Sequence, residues 1–511
     1  MFIKKIAIVV PFYPNISESD YKYIFNDSSI KLCVVANDEL FKKISNISGE
    51  TPSLEHLFTM DAVEGAKNWS EIKKTGATIE RLEVQKRMDA VKHEELATII
   101  YTSGTTGNPK GVMLSHKNLL TNVEACIEPI PAEAGSKVLS FLPVCHVYER
   151  MLHYLYMYLG CSIHFAESME TIGDNIREIK PDVFTAVPRL IEKVFDKIIA
   201  KGDELSGIKR KLFFWAVNLG DQYDPVNRSA WYNFRLKIAR KLIFSKWKAA
   251  FGGELHTMVS GSAALHPRLS RIFCASGMMI MEGYGLTETS PVVSVGMYAD
   301  HHFKIGTVGK PISNVEVKIA EDGEILIKGP NIMKGYFKDP KKTAEVMSGD
   351  YFHTGDKGEI DADGFLKITG RKKEMFKTSG GKYIIPTLIE NDLKESNFIE
   401  QVMVIGENQK MPAALIQLDF EFIKEWIERK KLDIEATPEA ICASELIIDR
   451  IQKEVDKSNQ GFGKWEQIKR FELTPEVWCI EGGHLTPTMK MKRSVIFELY
   501  KELAAKIYTD V

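Results

Sequence analysis

The stretch Tyr101-Thr-Ser-Gly-Thr-Thr-Gly-Asn-Pro-Lys-Gly111 is the most informative part of this sequence. It holds three glycines, four Ser or Thr hydroxyls and one lysine. Glycine lets backbone N–H groups approach phosphate oxygens, while hydroxyls add donors and Lys110 adds positive charge. The stretch follows an apolar strand predicted over 97–100, but it lacks the GxxxxGK[ST] pattern of P-loop NTPases. It predicts a loop that wraps anionic oxygens, and a plain flexible turn is the alternative.

On both sides of this loop, short apolar runs alternate with helical patterns. We predict strands over 6–10, 31–35 and 183–187, and helices over 17–25, over 38–44 and from Pro188 onward. Short strands without polar alternation are covered on both faces, as in parallel sheets flanked by helices. The first half of the chain is therefore predicted to be layered α/β.

The sequence pattern changes from about residue 306. The segments 315–319 and 324–328 predict one hairpin, and 359–361 and 365–368 predict a second. Asp361, Asp363 and Gly364 lack the remaining ligands of a calcium loop, so they predict turn chemistry instead. We expect a small, barrel-like antiparallel β subdomain over about 306–370, and an α+β pattern after it.

Length and composition limit the possible functions. The chain has 511 residues, which predicts two to four domains, and 67 Lys and Arg residues balance 69 Asp and Glu residues. This balance argues against a nucleic-acid partner. Seven scattered cysteines without a CxxC pair favour a reduced, cytoplasmic protein. No apolar run reaches the roughly 18 residues of a membrane span. The apolar N-terminus is interpreted as a buried strand rather than a signal peptide.

The loop at 101–111 resembles the phosphate-loop signature of the adenylate-forming superfamily, which includes acyl-CoA synthetases and luciferases. Further segments resemble that superfamily's motifs in the expected order. They are Tyr284-Gly-Leu-Thr-Glu-Thr289 (adenine and magnesium), Tyr351-Phe-His-Thr-Gly-Asp356 (ribose), Gly370-Arg-Lys-Lys-Glu374 (hinge), Ser379-Gly-Gly-Lys-Tyr383 (pantetheine tunnel) and Thr486-Pro-Thr-Met-Lys-Met-Lys-Arg493 (terminal lysine).

This resemblance implies a large N-terminal α/β domain over 1–370, a hinge over 371–373 and a small, mobile C-terminal lid domain over 374–511. It implies ATP, Mg²⁺ and CoA as the cofactor and co-substrates. The implied roles are ATP or AMP binding for Thr102, Ser103, Gly104, Thr105, Thr106, Gly107, Lys110, Gly261, Ser262, Ala263, Gly283, Tyr284, Gly285, Thr287, Asp356, Arg371 and Lys377; catalysis for Lys490, Glu288 and His146; magnesium binding for Glu288 and Thr105; the hinge for Lys373; and CoA binding for Ser379, Gly380 and Gly381.

These residue types suit the implied chemistry. Attack of a carboxylate on the α-phosphate of ATP needs charge neutralisation and in-line positioning more than acid–base catalysis. Glu288 supplies a hard oxygen ligand for magnesium, and Asp356 can accept from two ribose hydroxyls beside the donors of Arg371. As alternatives, Glu288 is a helix N-terminal acid, Asp356 a turn residue and His146 a hydrogen-bonded core histidine.

Other polar residues carry weaker signals. Cys145 and Cys161 lack a convincing partner base, so we interpret them as small core residues rather than nucleophiles. His301 and His302 form no complete ligand pattern and are expected in a surface loop.

Two features favour the long-chain fatty-acid branch of the superfamily. The segment 188–253 is long, helical and rich in aromatic residues, similar to the part of long-chain enzymes that helps to form the mouth of a fatty-acid tunnel. Met489 precedes Lys490, where short-chain and aryl enzymes have glycine. A medium-chain or aryl acid, a ligase that loads a carrier protein and a catalytically silent scaffold remain alternatives.

Two further expectations concern the surface and the start of the chain. The segment 207–250 holds ten Lys and Arg residues and two Asp residues, which predicts reversible contact with the inner face of an anionic membrane. An ordinary surface helix is the alternative. The segment 7–14 resembles a part lying 70–100 residues into other family members, so we expect the usual N-terminal segment to be lacking and the chain to be marginally stable. Oligomeric state and preferred chain length stay open.

Overall fold

The computed structural model describes residues 7–102, 108–168, 170–297, 303–479, 482–486 and 491–509. The strands are β1 (Leu32–Val35), β2 (His56–Thr59), β3 (Lys67–Asn68), β4 (Leu96–Thr102), β5 (Lys110–Ser115), β6 (Lys137–Ser140), β7 (Ser162–Phe165), β8 (Val183–Ala186), β9 (Thr257–Ser260), β10 (Met279–Gly285), β11 (Val292–Val295), β12 (Lys310–Pro311), β13 (Glu316–Ile319), β14 (Glu324–Lys328), β15 (Gly335–Tyr336), β16 (Met347–Ser348), β17 (Tyr351–Ile360), β18 (Leu366–Arg371), β19 (Phe376–Lys377), β20 (Tyr383–Ile384), β21 (Ile399–Ile405), β22 (Ala413–Leu418) and β23 (Phe471–Thr474).

The α-helices are α1 (Glu18–Ser28), α2 (Asp38–Ile47), α3 (Ser70–Gly76), α4 (Arg81–Asp89), α5 (His116–Ala125), α6 (Val147–Leu159), α7 (Ile172–Ile179), α8 (Pro188–Asp203), α9 (Gly207–Asp221), α10 (Ala230–Ala239), α11 (Ser245–Ala250), α12 (Pro267–Ser276), α13 (Pro340–Glu345), α14 (Pro386–Leu393), α15 (Phe420–Lys430), α16 (Pro438–Ala443), α17 (Glu445–Asn459), α18 (Arg493–Leu499) and α19 (Lys501–Tyr508). Short 3₁₀ turns lie at Ser48–Glu50 and Thr287–Thr289, and a π-helical turn at Arg240–Phe244 joins α10 to α11.

The first helices begin at polar caps in the sequence. The Ser17 hydroxyl accepts from the N–H of Asp20, and the Asn37 side chain accepts from the N–H of Leu40. Such caps satisfy N–H groups that have no partner within the helix. The helices predicted over 17–25 and 38–44 are confirmed as α1 and α2, and the strand predicted over 31–35 is β1 of a parallel sheet ordered β1-β2-β3.

The strand predicted over 6–10 is wrong for its described part. Residues 7–10 form one isolated parallel bridge, from Val9 to Thr98 of β4, and Ile8 and Val9 are each 47% exposed. Val9 exchanges backbone hydrogen bonds with Ala97 and Ile99. Pro11 cannot donate to a further ladder bond, so the pairing does not continue.

The largest sheet has seven strands in the order β12-β11-β10-β9-β8-β6-β7. Strands β6 to β10 pair in parallel, and β11 and β12 add antiparallel strands at one edge. One buried cluster on this sheet includes α6, and another includes α8, α9 and α12, so helices cover both faces. The carboxyl ends of parallel strands share one edge, which is where open α/β sheets place ligands.

The helical segment 188–253 packs more deeply than an amphipathic surface helix would. Phe213, Phe244 and Trp247 are buried, and the Nε of Arg240 donates to the carbonyl of Ala275 at 2.8 Å. Phe244 and Trp247 therefore pack inside the domain, while the predicted membrane contact of this segment stays a prediction. Trp231, Phe234 and Leu242 remain exposed.

Two smaller sheets complete the part before residue 371. β4 and β5 form an antiparallel hairpin that β15 extends, so residues 103–109 join two paired strands. The two predicted hairpins are confirmed within a five-stranded antiparallel sheet of β13, β14, β16, β17 and β18. Asp361 Oδ1 accepts from the N–H groups of Asp363 and Phe365, which confirms the predicted turn.

Residues after 371 form their own hydrophobic cores. β21 pairs antiparallel with β22, which pairs in parallel with β23, and α14, α15 and α17 pack on this sheet. This arrangement is the predicted α+β pattern. Within the described ranges, no helix is both long enough and apolar enough to span a membrane.

Candidate active site

Asp356 lies at the centre of a hydrogen-bonded cluster formed by two sheets. The hydroxyl of Tyr284, on β10, donates to Asp356 Oδ2 at 2.7 Å, and the Nε of Arg371, on β18, donates to Oδ1 at 2.9 Å. Asp356 is 5% exposed. Burial and the Asp356 charge raise the pKa of Tyr284 well above its usual value. Burial alone would lower the pKa of Arg371, but Asp356 raises it. The sequence therefore brings three of its predicted nucleotide-binding residues into direct contact.

Glu324 holds the backbone beside Asp356 in β17, and sequence reasoning missed it. Its buried carboxylate accepts from the N–H of Gly355 at 2.9 Å and from the Nζ of Lys372 at 3.0 Å, and it contacts His353 Nδ1 at 3.1 Å. Burial opposes its charge, yet these hydrogen bonds lower the pKa of Glu324. Because Glu324 lies 32 residues before Asp356 on β14, no local motif indicates it.

A second cluster joins Lys110 and Glu288 through Tyr336. The hydroxyl of Tyr336 donates to Glu288 Oε1 at 2.8 Å, and the Nζ of Lys110 lies 5.6 Å from the centre of the Tyr336 ring. Burial lowers the pKa of Lys110, as do the charges of Lys342 and Lys373. Sequence reasoning missed Tyr336; it reaches this cluster because β15 pairs with β5 opposite Val112.

A close backbone approach explains one of the predicted glycines, Gly285. A Cβ at Gly285 would lie 1.9 Å from the carbonyl oxygen of Pro291, so only glycine fits there. A Cβ at Gly111 would lie 2.8 Å from Ile99. A Cβ at Gly283 would make only an ordinary contact, at 3.5 Å. Gly285 therefore lets the end of β10 pack against the start of β11.

The remaining predicted residues before the hinge surround these clusters. Thr102 pairs directly with Lys110 across the hairpin. Gly261, Ser262 and Ala263 follow β9 at the carboxyl edge of the large sheet, and Ser262 has a left-handed backbone with φ of 72°. Thr287 is buried in the 3₁₀ turn that carries Glu288.

His146 is the N-cap of α6. Its Nδ1 accepts from the N–H of Tyr148 at 3.2 Å, which matches the alternative of a hydrogen-bonded histidine and leaves a catalytic role untested. Burial raises the pKa of the neighbouring Cys145 thiol to about 11, and burial also raises the pKa of Cys161. Both shifts disfavour the thiolate, so neither cysteine is poised as a nucleophile.

The predicted hinge and CoA residues lie on turns. Lys373 is exposed in a turn closed by the N–H of Met375, which donates to the carbonyl of Arg371 at 3.0 Å. Ser379, Gly380 and Gly381 are exposed between β19 and β20. Lys377 does not join the Asp356 cluster within the described part of the chain; its Nζ lies 4.7 Å from the centre of the Tyr383 ring.

Several predicted residues lie outside the described residues. They are Ser103, Gly104, Thr105, Thr106 and Gly107 of the loop, Lys490 near the C-terminus, and His301 and His302.

The fold and the two side-chain clusters together define a class of protein. Tyr284 of the Asp356 cluster and Glu288 of the Lys110–Tyr336–Glu288 cluster are four residues apart in the chain, and a separate α+β unit follows directly after Arg371. A large α/β domain with such a site and a small second domain is the architecture of an adenylate-forming enzyme.

Comparison with known proteins gives the family. The chain belongs to the AMP-binding enzyme family, whose model matches residues 4–337, and the model of the AMP-binding enzyme C-terminal domain matches residues 374–511. The long-chain-fatty-acid–CoA ligase FadD15 of Mycobacterium bovis is 32% identical over 508 residues, covering 98% of this chain and 84% of that protein. The long-chain-fatty-acid–CoA ligase 1 of Cavia porcellus is 30% identical over 537 residues, covering 99% and 75%.

A solved structure supports the fold. The adenylation domain of a carboxylate reductase from Mycobacterium chelonae aligns with a TM-score of 0.74 at 20% identity, covering 98% of this chain and 77% of that one. At this identity the likeness concerns the fold alone.

Proposed function

We propose that this protein is an ATP-dependent, AMP-forming ligase that converts a long-chain fatty acid to its CoA thioester. In the first half-reaction, a carboxylate oxygen of the acid attacks the α-phosphorus of ATP, and pyrophosphate leaves. In the second, the CoA sulfur attacks the acyl carbonyl, the thiol proton is lost and AMP leaves. The relatives named as long-chain-fatty-acid–CoA ligases support this substrate class.

The observation that carries the proposal is the contact of Asp356 with Tyr284 and Arg371, close to the Lys110–Tyr336–Glu288 cluster. Each Asp356 oxygen accepts one protein hydrogen bond and retains capacity for a ribose hydroxyl. In this proposal Lys110 binds phosphate oxygens, where a fixed positive charge would stabilise the transition state of phosphoryl transfer.

The donor set fits magnesium. Glu288 offers a carboxylate oxygen, the hard ligand that Mg²⁺ prefers, next to the lysine proposed to bind phosphate. Glu288 would hold the ion together with Thr105. Bound magnesium would neutralise charge on the phosphate oxygens.

Three further roles are part of the proposal. Lys490 neutralises charge between the carboxylate and the α-phosphate, and His146 lies beside the acid. The loop at 379–381 borders the CoA channel. Rotation about Lys373 would exchange the small domain between the two half-reactions, as the family resemblance implies.

Pyrophosphate release tests the function. Release should depend on long-chain acids, with faster turnover when CoA is present, and Lys110→Ala should reduce it while Lys117→Ala, at an exposed lysine on α5, should not. Preference for medium-chain or aryl acids would correct the substrate class. Adenylate that accumulates despite CoA would favour carrier loading, and no release with any acid would indicate a silent scaffold.

We also propose that the protein contacts the cytoplasmic face of an anionic membrane through α10, α11 and the π-helical turn between them. Trp231, Phe234 and Leu242 are exposed, at 67%, 54% and 45%, and they interleave with Lys237, Lys241 and Lys246. Apolar side chains among lysines are typical of helices that lie at a charged bilayer surface, from which a fatty acid can be drawn.

Co-sedimentation with vesicles tests this surface. Binding to vesicles rich in phosphatidylglycerol should weaken with added salt and with Lys237, Lys241 and Lys246 changed together to Gln. A triple Gln variant at the exposed Lys424, Lys430 and Lys453 of α15 and α17 provides the matched control. Equal binding by both triple variants would show that Lys237, Lys241 and Lys246 are solvent-exposed lysines with no role in membrane binding.

A further inference from the structure

Two charged contacts join the large α/β domain to the C-terminal domain. Arg189, in the first turn of α8, pairs with Glu400 on β21, and His266, the N-cap of α12, pairs with Glu395 just after α14. All four side chains are partly buried, with 22–31% of each exposed. Such shielding makes these pairs stronger than exposed surface ion pairs.

Arg189 lies among an excess of carboxylates contributed by both domains. Glu192 approaches it at 3.6 Å from the next turn of α8. Burial raises the pKa of Asp196 to about 6, an effect that Arg189 opposes and that Glu192, Asp419 and Glu400 reinforce. Burial also raises the pKa of Asp419, the N-cap of α15. One guanidinium therefore offsets four acidic groups, and its removal would leave them to repel one another.

The second contact has a defined proton position. Nδ1 of His266 accepts from the N–H of Arg268 at 3.2 Å, so Nε2 carries a proton and donates it to Glu395. Asp392 lies in the same cluster, which offers three atoms within 4.8 Å of one another. Because a metal-bound Nε2 must lack its proton, the capping bond makes His266 a donor to carboxylates rather than a metal ligand.

We propose that Arg189, His266, Glu395 and Glu400 form an interdomain latch that holds the C-terminal domain in the pose seen here. The latch sets the equilibrium populations of this pose and of the rotated pose. Arg189 and His266 are positioning residues, because they act by fixing where the C-terminal domain sits. The consequence for catalysis rests on the proposed two-step function, whereas the latch itself does not.

Acid should favour the latched pose. Burial raises the pKa of Asp196 to about 6, and two of the charges that add to this rise, Asp419 and Glu400, belong to the C-terminal domain. A group with a higher pKa in one state binds more protons there, so lowering the pH stabilises that state. The charged and titratable groups that surround the latch include Glu192, Asp196, Asp221, Arg268, Glu282, Asp392, Asp419, Glu421 and Lys457.

The direct test measures interdomain distance without any substrate. Dyes on non-natural side chains at the exposed Lys201 and Lys430, one in each domain, report energy transfer between the domains. Arg189→Glu should shift the equilibrium toward the open pose by about tenfold or more, the scale of a lost charge-assisted hydrogen bond. The added Glu400→Arg change should restore transfer by re-forming the pair in reverse. Energy transfer in the wild type should rise as the pH falls from 8 to 6.

His266→Asn provides a second, milder variant. Asparagine can still cap α12 but cannot reach Glu395, so the fold is kept while the contact is lost. Arg177→Glu, at an exposed pair with Asp174 inside the large domain, is the matched control. Unchanged energy transfer in both latch variants, with melting curves that show folded protein, would overturn the proposal, as would failure of the charge swap to restore transfer.

Separate assays of adenylate formation and thioester formation complete the design. The latch variants should change the ratio of the two rates, and Arg177→Glu should not. Equal loss in both half-reactions would contradict a positioning role. A protein that makes no adenylate would refute the proposed function, while the distance measurement would still decide the latch.

Discussion

Each oxygen of the Asp356 carboxylate accepts a hydrogen bond from a different donor. The site therefore favours an acid over its amide at position 356. In Asp356→Asn, the amide N–H₂ would face either Tyr284 or Arg371, which are both donors. We expect the KM for ATP to rise at least tenfold and the free energy of unfolding to fall by about 1–2 kcal/mol, since the guanidinium is partly exposed. Steady-state kinetics and urea unfolding measure these effects. Asp363→Asn, at an exposed carboxylate of the same subdomain, should change neither, and an equal KM in both variants would contradict the assignment.

Lys490 tests the resemblance at a single residue. A lone ammonium that neutralises two reacting anions acts mainly in the transition state, so Lys490→Ala should slow adenylate formation by on the order of 10²-fold. Supplied acyl-adenylate should still react with CoA at a near wild-type rate. Rapid-quench assays of each half-reaction measure this, with Lys492→Ala as the neighbouring control. Equal loss in both steps would reject the assignment.

At the scale of elements, the end of β10 depends on the absence of a side chain at Gly285. A Cβ there meets the carbonyl oxygen of Pro291 at 1.9 Å, and backbone cannot move aside as a flexible side chain can. Gly285→Ala should therefore lower the free energy of unfolding by about 1–3 kcal/mol. Gly283→Ala, two residues earlier on the same strand, has room for its Cβ and should stay within about 1 kcal/mol of the wild type. Urea unfolding of the pair compares them directly, and equal stability would contradict the packing argument.

Elements with strong local signals were predicted well from the sequence. Polar caps at Ser17 and Asn37 mark α1 and α2, and the turn at Asp361 marks its hairpin. The predicted strand over 6–10 failed because apolar residues alone do not supply a pairing partner, and only Val9 finds one. In the segment 207–250, interleaved basic and apolar residues predicted a membrane-contacting helix, and neighbouring elements bury two of those apolar residues, Phe244 and Trp247.

The residues of the candidate active site also divide into those that local motifs indicate and those that they do not. Tyr284, Asp356 and Arg371 stand in recognisable motifs, so their meeting could be expected from resemblance. Tyr336 and Glu324 could not be predicted, since each reaches the site through strand pairings between distant segments. Local sequence carries no information about such pairings.

At the scale of the whole molecule, the proposed two-step reaction uses a flexible connection between the large domain and the C-terminal domain. The turn at Lys373 lies directly after β18, whose last residue, Arg371, contacts Asp356. Rotation is expected here because the residues before it belong to the nucleotide cluster, while those from Phe376 onward pack in the C-terminal domain. Lys373 also lies near enough to Lys110 to help lower its pKa, so the proposed hinge residue and Lys110 are neighbours.

Replacing Lys373 by proline should separate the effect of domain rotation from the chemistry of adenylate formation. Proline fixes φ near −65° and so restricts the backbone change that domain rotation needs. Within the described part of the chain, the N–H of Lys373 donates to no backbone carbonyl, so the substitution removes no such bond. We expect Lys373→Pro to slow thioester formation at least tenfold and to leave adenylate formation nearly unchanged. Lys373→Ala, which removes the same charge but leaves φ free, should keep both rates near wild type. If the alanine variant loses as much thioester formation as the proline variant, the side chain rather than the hinge motion is responsible.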